Sequence, residues 1–239
     1  MKTLLVYVFT VVLSSVLFSC KSSRILSANF ESDVVGNPPA TNPAGAPAGD
    51  VIQYNPALTP QLEVQNSATA GEKALHLKNT TVALGAHNRW VNFRGISTNL
   101  VNTLWFNYTA RNTSPSGNVL VDLSDGEGHL IARMRISSNG DVHLAKNILD
   151  VYTDHIGSVG TGAHTVIFTV MPSALKYNVT IFPVSGSAVT AENKPMITDN
   201  ALEFANPAHP TLSFSHQSMS AGNHQYVIET ASISRKEPA

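Results

Sequence analysis

The sequence predicts an all-β protein, a two-sheet antiparallel β-sandwich. Apolar and polar residues alternate along many short segments, which is the pattern of strands with one buried and one solvated face. Turn signals containing Gly, Asn or Asp separate these segments at short intervals. No stretch after residue 20 shows a convincing helical apolar period of about 3.6 residues. The length of 239 residues suits one domain of this kind.

Strands are predicted wherever the alternation is sustained. It is strongest in residues 103–110, 118–124, 129–137, 165–171, 177–184 and 226–234. Weaker candidates are residues 51–54, 61–66, 74–78, 91–94, 142–145 and 211–215. In 129–137 one face is predicted to carry Leu130, Ala132, Met134 and Ile136, and the other Ile131, Arg133 and Arg135.

Glycine-containing turns connect the predicted strands. Asp125-Gly126 and Asn139-Gly140 are expected to be hairpin turns, because these dipeptides accept the positive φ that tight hairpins need. The Pro-, Gly- and Ala-rich residues 36–50 cannot form a ladder strand. We expect an irregular loop there, with a binding loop as the alternative. One short helical turn is expected near residues 201–204.

The N-terminal residues have the pattern of a secretion signal. Lys2 precedes an apolar run, and Leu17-Phe18-Ser19-Cys20 resembles a lipobox, whose cysteine is acylated. We therefore expect a lipoprotein signal peptide at 1–19, the lipidated Cys20 and a tether at 20–24, and one domain at 25–236. The alternatives are an ordinary secretory signal or a transmembrane anchor, for which the apolar run is short.

The charge and the cysteine content limit the possible partners of the domain and the possible sources of its stability. The net charge of -1, with 13% charged residues, argues against nucleic acid as a partner, because phosphate binding needs a concentrated positive face. The only cysteine is Cys20, so the domain has no intrachain disulfide and depends on core burial for stability. The membrane is expected to be contacted only through the N-terminal lipid.

Both ends of the domain resemble a known family. Phe30-Glu31-Ser32, followed by Gly36 and Pro39, is similar to the opening motif of secreted jelly rolls of the concanavalin A-like lectin/glucanase group and of jelly-roll carbohydrate-binding modules. Residues 226–233 resemble the closing strand of those modules, and residues 162–166 with 177–181 resemble paired strands of laminin-G-like domains. The resemblance implies a jelly-roll fold and carbohydrate binding, although this sandwich also hosts enzymes and adhesins.

The same resemblance implies a structural calcium ion. In several such modules the opening Glu and a closing acidic residue ligate Ca²⁺, and the matching positions here are Glu31 and Glu229. Thr230 stands where the family has a second acidic residue. The alternative is a pair of solvated acids at strand ends.

No catalytic constellation stands out in the sequence. The glutamates are scattered singly, without the Glu-x-Asp-x-x-Glu spacing of jelly-roll glucanases. Arg133-Met134-Arg135 lacks the accompanying Gln-x-His and Tyr motifs of jelly-roll lyases. The nine histidines show no metal-binding spacing. The sequence favours a non-catalytic domain and leaves enzymatic activity open.

Candidate ligand-binding residues lie on the outward faces of three predicted strands. Alternation places Trp90, Asn92 and Arg94 outward on one strand, and Trp105 and Asn107 outward on another. Such side chains suit sugars, which stack on aromatic rings and hydrogen-bond to amides and guanidinium groups. Arg133 and Arg135 share one face and would meet an acidic glycan. The alternatives are Trp rings packed under a loop and arginines on a solvated face.

The sequence therefore predicts a bacterial cell-envelope lipoprotein, on the outer-membrane surface or in the periplasm, that binds polysaccharide without catalysis. A surface domain that recognises protein on the same scaffold is the first alternative. A glycan-degrading enzyme with an unrecognised site is the second. Exposed tryptophans on one common face would favour a sugar groove.

Overall fold

Alternate apolar side chains form the inner faces of two antiparallel β-sheets, which confirms the predicted fold class. The computed structural model describes residues 23–42, 51–55, 61–69, 71–79, 90–113, 117–147, 152, 154–217 and 224–238. The strands within these ranges are β1 (Arg24–Ala28), β2 (Ile52–Tyr54), β3 (Leu62–Asn66), β4 (Lys73–Asn79), β5 (Trp90–Arg94), β6 (Leu104–Asn112), β7 (Asn118–Ser124), β8 (Leu130–Ile136), β9 (Asp141–Leu144), β10 (Asp154–Ser158), β11 (Ala163–Met171), β12 (Lys176–Pro183), β13 (Val189–Pro195), β14 (Thr211–Gln217) and β15 (His224–Ser234).

The strands divide into an eight-stranded and a seven-stranded sheet. The eight-stranded sheet has the order β13-β12-β11-β6-β15-β4-β3, and β1 also pairs with β15. The seven-stranded sheet has the order β10-β9-β8-β7-β14-β5-β2. Strand β15 pairs with β6, with β4 as far as Ile228, and with β1 from Ala231 onward. A register shift at Glu229 separates these two parts of β15. The eight-stranded sheet is therefore built around its longest strand.

Every predicted strand is present, and β1, β10 and β13 are additional. In β1 both Ile25 and Leu26 are buried, because a bulge shifts the register and interrupts the alternation. Strands β10 and β13 lie at sheet edges, and only Ala191 of β13 is buried in either of them. An edge strand that buries so little carries no apolar period for the sequence to reveal.

The predicted turns and faces are largely confirmed. Gly140, with φ of 87°, closes the β8–β9 hairpin, and a Cβ there would lie 2.5 Å from the carbonyl oxygen of Gly160. A 3-10 turn occupies Ala201–Glu203, within the predicted helical turn. On β8, Arg133 and Arg135 face outward, but Ile131 is buried because the register shifts beside it.

Aromatic side chains join the two sheets at the centre of the core. Tyr108 of β6 meets Phe214 of β14 edge to face, with ring centroids 4.9 Å apart. Phe214 also contacts Phe93 at 5.7 Å and Tyr226 at 6.1 Å. All four side chains are fully buried, so their packing fixes how the sheets sit against each other.

A buried histidine is hydrogen-bonded inside this core. The Nδ1–H of His164 donates to the Gly162 carbonyl at 3.2 Å, so Nε2 accepts from the Tyr226 hydroxyl at 2.9 Å. The Tyr226 and Tyr108 hydroxyls lie 3.4 Å apart. Burial lowers the pKa of His164 to about 4, against the favourable Gly162 contact. The imidazole is therefore neutral at neutral pH.

A second buried polar group, Asp125, ties the β7–β8 turn to a distant segment. Its side chain is fully buried and accepts bonds from the backbone N–H of Glu127 at 2.8 Å and of Ala205 at 2.8 Å. It also accepts bonds from the N–H and the ring Nδ1 of His129, at 3.1 and 2.7 Å. Burial opposes the charge, but these bonds outweigh it and hold the pKa of Asp125 below its ordinary value. The predicted turn residue is thus also an anchor for the loop before β14.

The N-terminal expectations fall partly outside the described residues. The signal peptide at 1–19 and Cys20 lie there, whereas Arg24, the last residue of the predicted tether, begins β1. Of the predicted loop at 36–50, the described part carries hydrogen bonds between Gly36 and Val64 and between Asn37 and Val64. None of the helices in the described ranges is long and apolar enough to cross a membrane.

The neutral His164 predicts a loss of stability in acid. The folded chain takes up the proton near pH 4 and the unfolded chain near 6.5, so stability present above 6.5 is lost as the pH falls through that window. The expected loss is up to about 3 kcal/mol. Urea unfolding between pH 8 and 4.5 measures it. The His164→Gln variant should be less stable than the wild type at pH 8. On acidification its free energy of unfolding should fall by up to about 3 kcal/mol less than that of the wild type. An equal fall in the two proteins would contradict the assignment.

Replacing Asp125 tests the buried anchor. Asp125→Asn removes the charge and turns one acceptor into a donor facing other donors, so the free energy of unfolding should fall by about 3 kcal/mol. Glu127→Gln in the same turn is the matched control. Its side chain is 54% exposed and its ion pair with Arg94 spans 3.3 Å, so the expected change is about 0.5 kcal/mol or less. Equal effects in the two variants would contradict the role given to Asp125.

Candidate functional site

The outward surface of the seven-stranded sheet carries most of the predicted ligand-binding residues. Because Val91 and Phe93 are buried, the intervening Trp90, Asn92 and Arg94 point outward and are partly exposed. Arg133 and Arg135 occupy the same surface from β8. We call this surface the polar face and define it by its outward side chains: Trp90, Asn92, Asp122, Arg133, Arg135, His143, Ser213 and Ser215.

Strand register arranges the polar face in two rows. Asn92 is level with Ser213, Asp122 and Arg133. One pair further along, the second row contains Trp90, Ser215, Leu120, Arg135, His143 and His155. With neighbouring strands about 4.8 Å apart, about 14 Å separates Trp90 from Arg135. The second row therefore has an aromatic end and a cationic end.

Arg133 is neutralised within the face. Its Nε and Nη2 donate to the two carboxylate oxygens of Asp122, both at 2.7 Å. The two side chains are 17% and 20% exposed, so this fork is largely shielded from solvent. Arg133 therefore presents little net charge to a ligand.

Arg135 has different surroundings. Its guanidinium carbon lies 4.3 Å from the centroid of the Tyr152 ring, in a cation–π contact. Its Nε is buried and finds no hydrogen-bond partner among the described residues. Arg135 is positioned by a ring face, and its Nε–H is left without a described partner.

Two histidines extend the row beyond Arg135. His143 is the cross-strand partner of Arg135, and its ring centroid lies 5.0 Å from that of His155. Burial, the charge of Arg135 and then His155 lower the pKa of His143, while Asp141 opposes the shift. The Nδ1 of His143 is buried without a hydrogen-bond partner among the described residues. His155 Nε2 is 3.8 Å from Asp141 Oδ1.

Sequence reasoning missed the histidines because the hairpin register was not available to it. A two-residue Asn139-Gly140 turn would pair Arg135 with Leu144. The actual loop has one more residue, since the Ser137 N–H donates to the Asp141 carbonyl, and Arg135 therefore pairs with His143.

The other predicted residues lie elsewhere. Trp105 and Asn107 are outward on β6 in the eight-stranded sheet, so they do not share a surface with Trp90. The two tryptophans, both partly buried, therefore do not form one groove.

The predicted calcium ligands are engaged with hydrogen-bond donors. Glu31 accepts from the Lys73 N–H at 3.0 Å. Glu229 is 3.4 Å from the Ser67 hydroxyl and 4.0 Å from Arg111. Within the described part of the chain, no three His, Cys, Asp or Glu side chains are grouped to hold a metal ion. The calcium site stays a prediction.

A cavity of about 250 Å³ opens between the edges of the two sheets. An ion pair of Lys194 and Asp154, 2.6 Å apart, lies at its wall. Tyr177 also lines it, and burial raises the pKa of this phenol. The ion pair satisfies both charges, which leaves the polar face as the stronger site.

Comparison with solved structures identifies the fold as that of lectins. Lectin I from Ulex europaeus, in complex with the methyl glycoside of α-L-fucose, is similar over 89% of this chain and 98% of its own, with a TM-score of 0.53 and 9% identity. Peanut lectin with a nine-residue peptide matches over 87% and 96%, with a TM-score of 0.51 and 13% identity.

A third similar structure is the binding domain of Paraclostridial Mosquitocidal Protein 1. It matches over 91% of this chain and 50% of its own, with a TM-score of 0.54 and 11% identity. No protein-family model matches the chain, and no curated protein matches it in sequence. At these identities the likeness shows the fold alone, a lectin-like β-sandwich.

Proposed function

We propose that this chain is a carbohydrate-binding lipoprotein and that its polar face is the binding surface. The observation that carries the proposal is the alignment of Trp90, Asn92, Ser213 and Arg135 on one outward surface of the seven-stranded sheet. The Trp ring offers a flat apolar surface to a sugar ring. The amide, hydroxyl and guanidinium groups offer donors and acceptors in fixed positions for sugar hydroxyls.

The fold supports the proposal without deciding it. Two lectins with this fold have been solved with sugars, one with a fucoside and one, lectin UEA-II, with galactose at a TM-score of 0.50 and 9% identity. The row from Trp90 to Arg135 crosses four strands, about 14 Å, with the buried Leu120 between them, so a ligand that contacts both ends is longer than one monosaccharide. We therefore propose a polysaccharide as the ligand, bound without catalysis.

A glycan-degrading activity is the second candidate. One observation favours it: Arg135 is packed on Tyr152 beside His143, which brings a cation and two proton-transfer groups together. Viscosity and reducing-end assays on polysaccharide incubated with the chain distinguish degradation from binding. Product formation that Tyr152→Phe abolishes would establish the enzyme.

We also propose that Cys20 anchors the domain to the bacterial envelope through its lipid. Strand β1 begins at Arg24, so the intervening chain spans at most about 14 Å and holds the domain close to the membrane surface.

The first prediction of this proposal concerns the two tryptophans. Trp90→Ala should weaken polysaccharide binding by about tenfold or more, because it removes the stacking surface of the polar face. Trp105→Ala, an equal loss on the opposite sheet, should leave binding unchanged. Affinity electrophoresis of the full chain in mild detergent, through gels containing plant, algal or host polysaccharides, measures both.

The outcomes of that experiment separate the alternatives. Circular dichroism first establishes that each variant is folded. Loss of retardation in Trp105→Ala alone would move the site to the eight-stranded sheet. No retardation by any polymer would favour the alternative that the sandwich is a protein-interaction domain.

The second prediction concerns the anchor. Cys20→Ser should remove metabolic labelling with palmitate and shift the protein from the detergent to the aqueous phase in Triton X-114 partitioning. Labelling that survives the substitution would contradict lipidation at Cys20.

A further inference from the structure

We infer that Arg135, His143 and His155 form a subsite for an anionic group, so that the ligand is a polysaccharide bearing carboxylate or sulfate groups. This inference rests on the proposed function and adds the chemical class of the ligand. Its basis is the distribution of charge over the polar face.

The arginines that point outward from β5 and β8 differ in whether a carboxylate compensates them. Arg133 is held by both oxygens of Asp122 at 2.7 Å, and Arg94 lies 3.3 Å from Glu127. Arg135 contacts the Tyr152 ring instead, and no described carboxylate forms an ion pair with it. Arg135 therefore carries the uncompensated positive charge of the row.

The guanidinium group of Arg135 is held in a fixed orientation by the Tyr152 ring. A cation–π contact fixes the guanidinium plane but consumes none of its N–H groups, and Nε has no described hydrogen-bond partner. Guanidinium groups bind carboxylate and sulfate oxygens through two parallel N–H bonds. An oxyanion beside Arg135 would accept a hydrogen bond from a donor that the protein leaves unpaired. This bond would lower the free-energy cost of keeping that donor buried.

The neighbouring histidines make the subsite responsive to pH. His143 is flanked by Arg135 on β8 and His155 on β10, and the acidic group facing this cluster is Asp141, 3.8 Å from His155. Burial first, and then the charge of Arg135, disfavour a charge on His143 and lower its pKa. A bound anion favours the charged form of His143. Binding is therefore accompanied by protonation of His143, and the affinity for the anion rises as the pH falls.

The position of the subsite matches a chain molecule. The stacking surface of Trp90 lies at one end of the row and Arg135 at the other, about 14 Å away. A sugar ring stacked on Trp90 and a charged substituent on a later ring would occupy both ends. Long-range attraction adds little, because the net charge of the chain is -1.

The test compares two arginines of β8, one compensated by a carboxylate and one not. Arg135→Gln and Arg133→Gln lie on the same face of β8 and change the net charge equally, so general electrostatic effects cancel between them. Affinity is measured with the full chain in mild detergent, against polygalacturonate for carboxylate, dextran sulfate for sulfate and dextran for the neutral polymer. DNA serves as an unrelated polyanion.

The expected result is selective loss. Arg135→Gln should weaken binding to the anionic polysaccharide by roughly tenfold, while Arg133→Gln changes it by less than about threefold. Wild-type affinity should rise from pH 8 to pH 6, and His143→Gln should flatten that rise. The polymer that responds identifies the anionic group as carboxylate or sulfate.

The failure outcomes are distinct. Binding to dextran that is lost in Trp90→Ala but unchanged in Arg135→Gln would overturn the anionic subsite. The proposed function would still stand in that case. Equal losses in the two arginine variants, or equally tight binding of DNA, would show general attraction of polyanions and overturn the inference. Absence of binding to every polysaccharide would overturn both the inference and the proposed function.

Discussion

Burial of the inner faces of two sheets is the interaction on which the rest of this structure depends. The only cysteine is Cys20, so no intrachain disulfide supports the fold and apolar burial must offset the entropy of ordering the strands. Rings such as Tyr108 and Phe214 meet at the midplane and fix the separation of the sheets. Because side chains alternate with a period of two, every residue buried this way sets the direction of its neighbours. The polar face is the outward counterpart of the core.

Two polar side chains of the core, His164 and Asp125, are fully supplied with hydrogen-bond partners. His164 stays neutral between a carbonyl and a phenol, and Asp125 stays charged because four donors converge on it. One side chain is neutral and the other is charged, but neither has a buried polar atom without a hydrogen-bond partner. Arg135 on the polar face is the contrast, with a buried Nε that no described group satisfies. The Nε atoms of Arg94 and Arg111 are buried in the same way, but Arg94 and Arg111 have carboxylate neighbours, whereas Arg135 has none among the described residues.

The sequence predicts the part of this structure that depends on local pattern. Alternation correctly identifies twelve of the fifteen described strands and the outward direction of Trp90, Asn92 and Arg94. Alternation misses β1, where a bulge interrupts the period. It misses β10 and β13, because edge strands bury too little to show a period. Strand order is not a local property, so the alternation pattern could not reveal that Trp105 lies on the opposite sheet from Trp90. Nor could it distinguish Arg133 from Arg135, since the compensating Asp122 lies on another strand.

The pairing of β1 with β15 brings the two ends of the described chain together. Arg24 is the partner of Ser234, with Cα atoms about 5 Å apart, and the Arg235 N–H donates to the Ser23 carbonyl. The first and last described strands are therefore neighbours in the eight-stranded sheet. A short linker from residue 238 to residue 23 would allow a circular permutant that keeps every strand pair, with new termini in an exposed loop. By the same geometry, a protein fused after residue 238 would emerge beside β1, on the sheet opposite the polar face.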